Sequence, residues 1–419
     1  MYMTQLSVFQ TLPPTTDDAI LDHLSITEII RFGRTCSNAH VAVQSYIKRR
    51  FKLSDVLARF FKEQTQVEEL RTLMSNTGMV ISGSAALQLF QRNLYADSDL
   101  DLYTPLHNAQ QIADWLISKG YTFVPSVQSL PTVETAISEA VSRHTTPPLI
   151  GATPSTRRGY LRAACILDFR ATNPVRKIQL IASVRSVLEL ILGFHSTCVM
   201  NFITHEKAYC LFPRATLVER RALTYLNRTI GHESNRNAYV KWTARGFQLG
   251  DCLTQAEFDD PGSAFAPGMR FVGDSKRLVF PIHFLREDFT GQKEGTVEVN
   301  SFALEYNGTL EPVFNSCHVN LEGLRYPYVL TEDEAVFILQ EVTPYGVVHL
   351  RQSNRTIADV GKVTFDLELK GLMTTLRNMD AESDPASDPP DSGSEPDEDD
   401  AEGDENNETH GELNGSCEP

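Results

Sequence analysis

No run of the roughly 18 apolar residues that a membrane-spanning helix needs occurs anywhere in the 419 positions. The opening stretch MYMTQLSVFQTLPP has no basic segment ahead of an apolar one, so a secretory leader is not expected. Cysteine is sparse: seven residues (Cys36, Cys165, Cys198, Cys210, Cys252, Cys317, Cys417) stand apart, with no CxxC pair and no zinc-type His/Cys spacing. That usage suits a reduced compartment and excludes a disulfide framework. The Asn-x-Ser/Thr matches NRT 227–229 and NGT 307–309 therefore have no secretory context. Excess basic charge is missing too. The formal charge is −16, and residues 380–419 hold 16 acidic side chains with no Lys or Arg, which leaves 38 acidic against 38 basic in the rest. A body so balanced lacks the basic stripe of a dedicated nucleic-acid surface. The short clusters KRR 48–50 and STRRGYLR 155–162 read as solvated helix ends or loops. A cytoplasmic or nuclear location is expected, with no membrane partner.

At roughly 150 residues per domain the length suits two or three domains. Residues 12–51 place Ile20, Leu21 and Leu24 on one helical face, then Ile26, Ile29, Ile30 and Phe32 on another. Pro13 and Pro14 open the segment, and Ser25 with Glu28 forms an S-x-x-E capping box. Two or three short helices fit. Residues 53–76 continue the three-to-four spacing through Leu53, Val56, Leu57, Phe60 and Phe61, then Val67, Leu70 and Leu73. GMVISGS then reads as a strand ending in a turn, AALQLFQRNL as a helix, DSDLDLYTP as a strand, and AQQIADWLISKGY as an amphipathic helix ending at Gly120.

Residues 122–160 are rich in Ser, Thr and Pro and read as an inserted loop. AACILDFRA and RKIQLIAS read as strands, residues 184–212 as central core, and 215–228 as a further helix. Beyond about 265 the pattern alternates, in 270–282, 296–306, 311–321 and 362–372, which predicts a β-rich region. From Asp380 the chain is too polar and self-repelling to bury a core and is expected to be disordered. The expected segments are 10–52 (helical), 53–250 (mixed α/β), 251–378 (β-rich) and 379–419 (acidic tail).

The chemistry concentrates in residues 80–104, VISGSAALQLFQRNLYADSDLDLYT. Side chains alternate along a strand, so Asp97, Asp99 and Asp101 are expected on one face, where three carboxylates repel unless a cation sits among them. Oxygen ligands of this kind suit Mg²⁺ or Mn²⁺. Gly83 and Ser84 precede a helix whose free amides can hold a phosphate, and glycine permits its close approach. A phosphate cradle followed by a D-x-D strand is a layout for phosphoryl or nucleotidyl transfer.

Two resemblances follow from these residues. The segment Leu12-Pro13, AILDHL (19–24), ITEIIRFGRTC (26–36) and NAHVAVQSYI (38–47) resembles an F-box, although His40 stands near where that family often has Trp. The resemblance implies docking of residues 12–51 on the Skp-type adaptor of a cullin-RING ubiquitin ligase, the remainder presenting a substrate protein. The alternative for the same residues is a helical cap packed on the following domain. Gly83-Ser84 and Asp99-Leu100-Asp101-Leu102 resemble the hG[GS] and [DE]h[DE]h signature of the nucleotidyltransferase superfamily. That implies a mixed sheet flanked by helices, metal on Asp99 and Asp101, and nucleoside triphosphate on Gly83 and Ser84. The order GSAALQLF, DSDLDLY, KIQLIAS, FHSTCVMNFIT also resembles a group of fungal proteins that join an F-box-like N-terminus to this fold.

The superfamily implies a third carboxylate on a neighbouring strand, where RKIQLIAS offers Gln179, a neutral amide that is a poor metal ligand and no base. Asp168 in ILDF is the alternative third acid. The leading expectation is thus a ubiquitin-ligase substrate receptor with a degenerate transferase-like domain used for binding; the competitor is an active Mg²⁺-dependent enzyme using Asp99, Asp101 and Asp168. His195 and Cys198 read as a hydrogen-bonded core histidine and a buried inert thiol rather than a nucleophilic pair.

Overall fold

Capping chemistry sets the first helices. The Ser25 backbone N–H donates to Glu28 Oε2 (2.7 Å) and the Glu28 N–H to Ser25 Oγ (3.3 Å), closing the expected box at the start of a helix. The computed structural model describes residues 14–126, 130–145, 163–172, 175–224, 232–282, 297–319, 324, 327–338 and 366–383. Leu12, Pro13, the 155–162 cluster and the chain beyond 383 lie outside the described residues. The N-terminal unit is α1 (Pro14–Leu21), α2 (Ile26–Gly33) and α3 (Ser37–Arg50). Gly33 lets α2 meet α3: a Cβ there would lie 3.2 Å from Val43.

There follow α4 (Leu53–Leu57), α5 (Gln64–Thr77), β1 (Val80–Ser82), α6 (Gly83–Gln91), β2 (Leu100–Pro105), α7 (Ala109–Ser118), β3 (Thr122–Val124), α8 (Val133–Thr145), β4 (Ala163–Thr172) and β5 (Val175–Ser183). Next come α9 (Val187–Leu192), β6 (Asn201–Ile203), β7 (Lys207–Cys210), β8 (Arg221–Leu223), α10 (His232–Ala244), β9 (Gln248–Gly250) and α11 (Gln255–Phe258). The rest is β10 (Gly268–Phe271), β11 (Leu278–Pro281), β12 (Ser301–Tyr306), β13 (Pro312–Asn315), β14 (Cys317–Val319), β15 (Tyr328–Leu330) and α12 (Asp366–Ser383).

A mixed eight-stranded sheet in the order β11-β7-β6-β1-β2-β5-β4-β3 forms the centre; β2 and β5 are parallel and every other pair is antiparallel. Its two faces follow the period-two alternation of the strands. Leu100, Leu102, Leu167, Phe169, Ile178 and Leu180 join a core that includes the N-terminal helices, while Tyr103, Ile181, Phe202 and Tyr209 join a second core with Phe194 and Trp242. The architecture is therefore mixed α/β, as expected. None of the described helices is long and apolar enough to cross a membrane.

Several local readings change. Residues 133–145 are helical rather than loop, because Val133, Ala136, Ile137 and Ala140 recur at helical spacing and seat against the core. Over 215–224, the described part of the expected helix at 215–228, there is only a wide turn (Arg214–Glu219), ended by Arg220 in the left-handed region (φ 54°) and followed by β8. Residues 366–372, expected as strand, begin α12: buried Leu369 and Met373 lie one helical turn apart. That helix also carries described structure to Ser383, past the expected start of disorder. Lastly, β11, in the expected C-terminal β-rich region, completes an edge of the central sheet by pairing with β7.

Candidate functional site

The strand register assembles the site. Ser82 on β1 faces Asp101 on β2, Asp101 faces Gln179 on β5, and Gln179 faces Asp168 on β4. Because Leu100, Leu102, Leu167, Leu180 and Ile178 go to the opposite face, Asp101, Gln179 and Asp168 form a row on one face of the sheet. Gly83 opens α6 directly above. Its φ of +65° and a Cβ position only 2.7 Å from Asp101 Oδ2 leave no room for a side chain. Ser84 follows, buried, and no side chain caps this helix start. Gly83, Ser84 and Asp101 thus form the floor of a cleft of about 190 Å³ whose walls include His195 and Trp242 and whose rim includes Lys241. Burial, and then the neighbouring Asp99, push the Asp101 carboxyl up to about 7, against the pull of Lys241 and Lys177.

The loop before β2 is tied down by two residues that sequence reasoning passed over. Gln88 Nε2 donates to Ser84 O (3.0 Å) and Ser98 Oγ (2.8 Å), and its Oε1 accepts from the Tyr95 N–H (2.8 Å). Arg59 donates to Tyr95 O (2.6 Å) and Ser98 Oγ (3.2 Å). The acids consequently do not all share a strand face. Asp97 sits in a turn ahead of β2, largely exposed, 3.2 Å from Arg245 Nη2. Arg245 in turn lies over the rings of Tyr95 (3.9 Å) and Trp242 (4.8 Å). Asp97 therefore belongs to a clamp between the acidic loop and α10 rather than to a carboxylate row.

Asp99 and Asp168 are brought together through a side chain. Lys177 Nζ lies 3.3 Å from Asp99 Oδ2 and 3.4 Å from Asp168 Oδ1, and Gln179 Nε2 donates to the same Asp168 oxygen at 2.8 Å. A divalent magnesium ion asks for near-octahedral oxygens. Here an ammonium stands between two of the three expected ligands, Asp99 and Asp168, and an amide N–H also takes the Asp168 oxygen. The residues as arranged do not fit that ion, and among the described residues no group of three His, Cys, Asp or Glu side chains is arranged to hold a metal.

His195 and Cys198 lie beyond α9, which stops at Leu192, and Cys198 sits in a short turn, Thr197–Val199. Ser196 Oγ bonds His195 Nδ1 (2.8 Å) and lies 3.4 Å from Cys198 Sγ, so the serine partners both. Burial pushes the Cys198 thiol up to about 12, which leaves no thiolate at neutral pH. The same cause, aided by Lys241, pulls the His195 imidazole down to about 4. Between the ordinary value near 6.5 and 4 the unfolded chain takes up a proton that the folded chain refuses, so stability should fall as pH drops through this window. The difference is on the order of 2 kcal/mol at pH 5. Melting temperatures at pH 7 and pH 5 check this: His195→Gln should lose distinctly less on acidification than the wild type, and equal losses would clear the ring of the role.

Comparison of the chain with protein-family models, with curated proteins and with solved structures gives no match.

Proposed function

We propose that the chain is a non-catalytic binding protein: a nucleotidyltransferase-like cleft that accepts a phosphate-bearing ligand, joined to an F-box-like N-terminal unit that serves as the adaptor contact of a ubiquitin-ligase substrate receptor. The observation that carries the reading is the pairing of Lys177 with Asp99 and Asp168. The geometry around it keeps what binding needs: the uncapped α6 start at Gly83 and Ser84, with Lys241 at the rim and His195 and Trp242 lining the wall. Against transfer stand Gln179, which neither ligates a metal nor takes a proton from an attacking hydroxyl, and the engagement of Asp168 by Lys177. The competing reading, an active magnesium-dependent transferase on Asp99, Asp101 and Asp168, requires those acids to be free for metal.

Tyr46, Ile47 and Phe51 of the N-terminal unit pack into the central core, which is also what a helical cap would do, while Ile20 and Val41 stay exposed. Isothermal titration of ATP into the full chain tests the cleft. Binding should persist in EDTA and weaken about tenfold or more in Lys241→Glu, in line with the loss of a charge-assisted contact. Binding that appears only with magnesium, or turnover abolished by Asp101→Asn, would favour the enzyme instead. Co-elution of the full chain with a purified Skp-type adaptor, lost in Val41→Glu, tests the receptor role.

A further inference from the structure

Two acids of the site pose an electrostatic problem, and the solution to it sits in one side chain. Asp99 and Asp168 converge on one spot beside β5, and like charges so close need a cation between them. We infer that Lys177 is that cation, built into the chain in place of a divalent ion, so that the cleft is metal-free by construction. This deepens the binding reading above and rests on it.

Three observations on geometry carry the inference. Lys177 lies on β5 two residues before Gln179, so both side chains rise from the same face, beside the acids. The ammonium is about equidistant from Asp99 and Asp168, at 3.3 and 3.4 Å, a bridging position rather than a pairing with one acid. The Gln179 amide is also fixed in sense: an Asp168 oxygen at 2.8 Å only accepts, so the amide presents Nε2 to that carboxylate. Asp168 Oδ1 is then used twice over, by an amide and an ammonium.

Stability alone does not explain the arrangement. The side chains of Lys177, Asp99 and Asp168 are 29 %, 39 % and 26 % exposed, and pairs of that exposure contribute only about 0.2–1 kcal/mol. Their effect is on occupancy. A lysine held between two carboxylates excludes a second cation from the same spot, at no cost in metal supply.

The experiment uses the full chain without nucleotide. Mn²⁺ is titrated in and followed by loss of the free-ion EPR signal, and every curve is compared with that of the same chain carrying Asp99→Asn, which cancels ions taken up by the acidic tail. The wild type should show no Asp99-dependent uptake. Lys177→Met should gain one such site, and Lys177→Met with Gln179→Asp should bind about tenfold more tightly again, as an added carboxylate ligand implies. Melting supplies a second readout: Lys177→Met should be stabilised by Mn²⁺ and the wild type should not. Asp99-dependent Mn²⁺ binding by the wild type, equal to that of Lys177→Met, would overturn the inference. So would folded Lys177 variants, the milder Lys177→Gln included, that gain no Asp99-dependent site. Failure of ATP to bind in EDTA would remove the nucleotide reading and leave the Mn²⁺ result to be judged separately.

Discussion

Phe280→Ala is expected to lower the unfolding free energy by about 4 kcal/mol, within the usual range for truncating a buried phenylalanine. Phe280 is 2 % exposed and sits on β11 at the edge of the central sheet. Its ring meets Phe51 of the N-terminal unit edge to face (centroids 5.0 Å, 66°) and Phe90 of α6 in the same manner (5.1 Å, 70°). Three parts of the sequence, two of them far from the third along the chain, thus share one aromatic contact. Such pairs add about 0.5–1.5 kcal/mol beyond area burial, and truncation leaves a cavity between β11, α6 and the end of α3. Urea unfolding of the full chain measures the loss. Phe280→Leu should recover about half of it by refilling most of the volume. A loss under about 1 kcal/mol for the alanine variant would mean that the N-terminal helices and β11 are not held through this ring.

The same contact bears on the adaptor role, because Phe51 ends α3 and Arg92 reinforces the junction. Arg92 closes α6 in the left-handed region (φ 51°) and donates to the carbonyl oxygens of Leu21 (3.3 Å) and Leu24 and to the Tyr46 hydroxyl, its guanidinium lying over Phe51 (5.5 Å). The N-terminal unit is therefore seated on the central domain by stacking and by hydrogen bonds, which leaves the opposite side of α1 and α3 for any partner.

How much of this was legible depended on distance along the chain. The Ser25–Glu28 cap, the α6 start at Gly83 and the inward turn of Asp101 are local patterns, and each stands where its neighbours require. Asp97 misled because alternation was assumed to reach back through residues that form a turn, where Gln88 and Arg59 override strand geometry. Lys177 could have been found: it shares a strand face with Gln179 by simple parity. Lys241 and Trp242 could not, since α10 reaches the cleft from some 140 residues beyond Asp101 and nothing in its own pattern points there. Phe280 was hidden in the same way, as an apolar residue in an alternating stretch whose partner strand, β7, lies about seventy residues earlier.

Gly83→Ala should remove ligand binding altogether, to at least a hundredfold loss in ATP affinity by titration, and lower stability by about 2–3 kcal/mol. Two costs combine. A side chain at φ +65° pays about 1–2 kcal/mol for the left-handed conformation. The new methyl would also stand 2.7 Å from Asp101 Oδ2, nearer than real contacts allow. Asp101 has a short side chain with Asp99 beside it and a backbone fixed between Ser82 and Gln179, so relief comes mainly by shifting the α6 start. That shift carries the first-turn amides away from the position a phosphate would take. The two costs separate in a double-mutant cycle: Asp101→Ala removes the carboxylate but not the backbone strain. Gly83→Ala combined with Asp101→Ala should therefore be more stable than the sum of the single changes by about 1 kcal/mol or more. Strict additivity would show that the methyl never meets Asp101. Unaltered ATP affinity in a folded Gly83→Ala chain would show that the ligand does not sit on the start of α6.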